Sequence, residues 1–146
     1  MNRVQFLKWA EGVLDSYAAM GARLGGKDHY RLIRVAPMQY LGIDALVSGT
    51  LRVHLFTNVD RHKERWKQVK AGLSRKTPTR LVASLPPLPP EALSRLQVLD
   101  NGPEHRGHLR FEWEAESSDY ARQQEPVRQY MDWLSAVVRG APRQGG

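Results

Sequence analysis

Apolar residues return every three or four positions at the start of the chain: Phe6, Trp9, Ala10, Val13, Leu14, Tyr17 and Met20. That spacing is one stripe of a helix. Asn2 is placed to cap it, and the glycines of GARLGG, residues 21–26, are placed to end it. His29 to Ala36 then reads as a strand with imperfect alternation. Residues 36–44 read equally as a loop or as a turn into another strand. From Ala45 to Thr57 the chain is rich in β-formers. Val47, Leu51, Val53 and Leu55 fall on one face, and Ser48, Thr50, Arg52 and His54 on the other. Gly49 interrupts this run as a bulge or as a turn. As a turn, it makes residues 29–57 a three-stranded meander.

Helical spacing resumes at Val59, His62, Trp66, Val69 and Leu73, after a capping-box-like Thr57-x-x-Asp60. Gly72 and Pro78 limit that helix. Arg80 to Leu85 reads as a short strand. PPLPP, Pro86 to Pro90, is expected to be a stiff, extended connector. Pro90 can open a short helix continuing through Glu91 to Leu99, since the first helical residue needs no N–H. Residues 100–107 form a turn-rich loop. GHLRFEWEAE, 107–116, alternates most cleanly: Leu109, Phe111, Trp113 and Ala115 oppose His108, Arg110, Glu112, Glu114 and Glu116. Val127, Tyr130, Met131, Leu134, Val137 and Val138 mark a last helix, ended by Gly140 and Pro142. Pro126 disfavours helix in the residue before it.

These elements predict an α+β fold. One domain spans 1–140, and 141–146 form a loose tail. The sheet is mainly antiparallel, with four to five strands and one polar, wet face. The N-terminal, central basic and C-terminal helices pack on its other face.

Composition narrows the class. A chain of 146 residues, 41% hydrophobic and 25% charged, suits one folded domain. No apolar run is long enough for a membrane span, and Lys8, Glu11 and Asp15 interrupt any leader-like region. Cysteine is absent, which excludes disulfides and thiolate chemistry. The expected location is cytoplasmic. Arg outnumbers Lys 16 to 6, a usage expected of a GC-rich bacterial genome.

Charge changes the picture most. The formal net charge is +7, and the 22 residues from Val59 to Arg80 carry almost all of it. They hold Arg61, Lys63, Arg65, Lys67, Lys70, Arg75, Lys76 and Arg80 against Asp60 and Glu64. Such a cluster repels itself by a few tenths of a kcal/mol per helical pair. Phosphate binding offsets that cost and releases counterions. The expected partner is therefore nucleic acid, DNA or RNA, held by its backbone. An acidic protein partner or a second copy of the chain is the rival, which makes the protein an interaction or assembly module. Few groups suited to reading bases stand in the segment, where Gln68 is the sole amide. Trp66 and Trp113 are expected in the core, and Phe56 is the one candidate for a stacking ring.

Other chemistry ranks lower. Glu104, His105 and His108 have the ligand types for zinc, but they span a loop and lack a fourth ligand. His54 and His62 read as surface or boundary residues. Glu112, Glu114 and Glu116 could approach a divalent cation in a nuclease-like site, with Asp44 and Asp100 as further acids. Alternating charges on a wet strand are the simpler account. GARLGGK lacks the spacing and hydroxyl of a phosphate loop, and PPLPP has no close basic flank. No catalytic motif is found, and no cofactor or metal is expected.

Overall fold

The structure, a computed structural model, describes residues 1–19, 25–74, 76–101, 106–115 and 120–139. Helix α1 spans Arg3–Asp15. Asn2 caps it by accepting from the Gln5 N–H at 2.8 Å, and the Gln5 side chain accepts from the Asn2 N–H at 2.9 Å. Both orphan donors are thereby satisfied. The helix ends at a Ser16 cap, before the expected glycines, of which Gly25 and Gly26 lie in strand β1, Gly25–Lys27. Met20 and residues 21–24 lie outside the described residues.

Strands β2 (Tyr30–Ala36), β3 (Gln39–Ala45) and β4 (Thr50–Asn58) form the expected meander. Gly49, at φ +98, turns β3 into β4, a conformation that favours glycine. Val47 sits in this turn at 84% exposure, so it does not join the buried face of Leu51, Val53 and Leu55. The ambiguous stretch 36–44 is largely β3. Helix α2, Lys63–Ser74, begins later than the Thr57 spacing suggests, because Thr57 is held in β4 by pairing with Gln39 and Gly107.

Two assignments change after α2. Arg80–Ala83 is a helical turn, α3, not a strand. Thr79 caps it, and Thr79 also donates to the Gln68 carbonyl at 3.1 Å, folding the segment onto α2. Helix α4 starts at Pro90 as expected but stops at Arg95. Leu96–Asn101 is strand β5, paired with β6, Arg106–Glu114. A ladder partner decides both cases. β6 offers a free edge to β5, whereas no strand of the described residues pairs with Arg80–Leu85.

Among the described residues one six-stranded antiparallel sheet results, in the order β1-β2-β3-β4-β6-β5. A 3-10 turn, Tyr120–Gln123, leads into α5, Gln124–Arg139. Pro126 lies in the first turn of α5, where its missing N–H goes unused. Residues 140–146 lie outside the description. The core fills the space between one sheet face and the helices: Phe6, Leu14, Ile43, Val53, Leu55, Leu109, Phe111, Tyr130 and Leu134 are almost fully buried. Phe111 stacks on Tyr130 at 4.2 Å. No helix of the described residues is long and apolar enough to cross a membrane.

Candidate functional site

The basic segment is positioned by its apolar stripe. Trp66 and Val69 are buried and hold α2 against the helix-covered face of the sheet. A Cβ on Gly107 would lie 2.7 Å from the Trp66 ring, so the indole lies directly on the β6 backbone. A Cβ on Gly72 would meet Val82 at 2.4 Å, so this glycine lets α3 close onto α2. The chain enters α2 through a turn in which the Asn58 side chain accepts from the Arg61 N–H at 2.8 Å.

These contacts sort the eight cations. Arg61, Lys63, Lys67, Lys76 and Arg80 are exposed, Arg65 and Lys70 are half-buried, and Arg75 lies outside the described residues. Four-residue spacing puts Lys63 and Lys67 on one ridge of α2. Among the described residues, Arg61, Lys63, Arg65, Lys67, Lys76 and Arg80 have no carboxylate within ion-pair distance. Elsewhere the acids are spent on neighbours: Glu11 pairs with Arg31, and Glu112 accepts from Arg52 at 2.6 Å.

A cleft of about 470 Å³ opens between the start of α2 and α3, lined by Arg61, His62, Lys63, Glu64, Arg65, Gln68 and Leu81. Two lining side chains are held from behind. Arg65 donates to the Val137 carbonyl at 3.2 Å. A His62 nitrogen lies 3.2 Å from both the Pro37 carbonyl and the Gln39 amide. Half-buried, His62 is the boundary residue expected of it.

The opposite sheet face is not uniformly wet. His54 and His108 point to it, yet each is only 6% exposed. A His54 nitrogen, Nε2, lies 2.6 Å from the Asp44 carboxylate, and His54 Nδ1 lies 2.9 Å from His108 Nε2. These are hydrogen-bond distances, each with a proton between the atoms. Burial, then repulsion from His54 and Arg110, lowers His108 to about 4, while Asp44 pulls the other way. Phe56 stacks at 4.3 Å on His108 and at 5.5 Å on His54. His54 and His108 are themselves 5.1 Å apart, so both rings lie toward one side of Phe56, which is half-buried. Trp66 and Trp113 are both in the core, as expected.

The acidic and metal candidates do not converge. Glu112 is shared by Arg52 and Arg110, and Glu114 accepts from Thr50 at 2.8 Å. Among the described residues no group of three His, Asp or Glu side chains is placed to hold a metal. Glu104, His105 and Glu116 lie outside those residues. Sequence reasoning missed two arrangements: the Asp44–His54–His108 chain and the cleft. The alternation places His54 and His108 on polar strand faces, but only the β4–β6 register makes them neighbours. Compared with protein-family models, curated proteins and solved structures, the chain matches none, so its function is read from its own residues.

Proposed function

We propose that this protein binds nucleic-acid backbone, without strong sequence preference, through the surface built by residues 59–80. One observation carries the reading: Arg61, Lys63, Lys67, Lys76 and Arg80 are exposed cations with no carboxylate partner among the described residues. Arg75 belongs to the same proposed surface by sequence, as do the half-buried Arg65 and Lys70. Point charges on long side chains suit phosphates and carry little base information. The packing supports the reading further, because the one aromatic of α2, Trp66, is consumed by the core and cannot stack on a base.

A mobility-shift titration against single- and double-stranded DNA and RNA, at two salt concentrations, tests it. Binding that weakens with salt, by roughly 0.7–0.9 in log-log slope for each phosphate contacted, is the expected result. No shift at low salt with any of the four ligands sinks the proposal and leaves an acidic protein partner as the better account of the charge.

A further inference from the structure

The geometry points to the cleft between α2 and α3 as a phosphate-binding subsite, in which Arg61, Lys63 and Arg65 hold one phosphate group of the ligand. This deepens the reading of the basic surface and rests on it. A delocalised charged surface predicts interchangeable cations; a subsite predicts that these three dominate.

Arg65 is the reason. Arg65 is half-buried, and among the described residues its side chain donates to the Val137 carbonyl and has no carboxylate partner. A cation partly withdrawn from water without a counter-charge is unfavourable, and an anion arriving beside it relieves that cost. The bond to Val137 also holds the side chain in place, so little freedom remains to be lost on binding. The fork of an arginine matches two phosphate oxygens at once. Arg61 and Lys63 line the same cleft from exposed positions and bring mobile charge to it.

Glu64 also lines the cleft and opposes an anion. Three cations against one carboxylate still leave a surplus suited to a phosphate rather than to a single carboxylate. The volume of about 470 Å³ falls in the range of small-ligand sites. Beneath it, Thr57 Oγ1 is buried without a hydrogen-bond partner among the described residues, and Thr57 lines a cavity of about 10 Å³ with His62 and Arg65. That space admits no more than a single water, so the phosphate stays in the outer cleft.

The test compares two double variants of equal charge loss: Arg61→Gln with Lys63→Gln inside the cleft, and Lys67→Gln with Lys76→Gln outside it. All four residues are exposed, so folding is little affected. Affinity for a labelled oligothymidylate is measured by anisotropy, and binding of inorganic tripolyphosphate by calorimetry. The cleft pair is expected to lose about tenfold more oligonucleotide affinity than the outer pair, and to lose tripolyphosphate binding. Equal losses for the two pairs overturn the subsite while leaving the basic surface as a binding face. Tripolyphosphate binding that depends on the cleft pair, without oligonucleotide binding, keeps the subsite and overturns the nucleic-acid reading. Binding of neither overturns both.

Discussion

His54 Nδ1 lies 2.9 Å from His108 Nε2, and the far nitrogen of His54 lies 2.6 Å from Asp44. Three titratable side chains from three neighbouring strands thus share hydrogen bonds on the sheet face opposite the core. Two charged imidazoles at that distance repel strongly, and burial already disfavours charge on His108.

Stability should follow from this with a definite sign. His108 has its pKa lowered from 6.5 to about 4, so the folded state binds fewer protons than the unfolded state between those values. Its contribution is complete above pH 6.5 and is lost as pH falls toward 4, by up to about 3 kcal/mol. Urea unfolding of the wild type and of His108→Gln at pH 7, 5 and 4 checks it. The wild type should lose stability more steeply; parallel curves would show that His108 is not held neutral.

Trp66→Ala should destabilise the protein by about 3–5 kcal/mol, and Trp113→Ala by a similar amount. Trp66 rests on Gly107, and Trp113 donates to the Gln123 side chain at 2.8 Å while meeting Tyr130 edge-on. Gly107→Ala tests the first contact from the other side, with an expected cost of about 1–3 kcal/mol through overpacking. Denaturant midpoints read all three. A Trp66→Ala variant of unchanged stability would contradict the packing.

Replacing Lys63, Lys67 and Lys76 together by Gln should reduce the slope of log K against log salt by roughly 2–3. The loss should be similar for every nucleic-acid sequence tried, because backbone contacts carry no base information. An unchanged slope would detach these side chains from the binding face.

Glu112→Gln with Glu114→Gln should leave nucleic-acid affinity unchanged or slightly raised, because these carboxylates point to the face opposite α2. The same variant should lose about 1 kcal/mol of stability, since Arg52 and Arg110 lose a shared counter-charge. No nucleic-acid cleavage is expected from the wild type with Mg²⁺ or Mn²⁺. Cleavage that vanishes in the double variant would make the protein a nuclease and displace the binding reading.

The apolar stripes of α1, α2 and α5 and the alternation of β4 and β6 are legible in the sequence, and Gly49 is legible as an interruption, a bulge or a turn, that the structure resolves as a turn. Each depends on which residues face a core, and that period is a property of a few consecutive positions. The charge of 59–80 is equally local. Arg80–Ala83 and Leu96–Asn101 escape such a reading because their short apolar runs suit either state. Thr79 docking on α2 makes the first a helical turn, and the free edge of β6 makes the second a strand. The same holds for the sites. Which residues carry charge is written in order along the chain. The half-burial of Arg65 against Val137, 72 residues away, and the meeting of His54 with His108, 54 residues away, come from packing and strand register. Those depend on contacts distant in sequence, and the tertiary structure alone decides them.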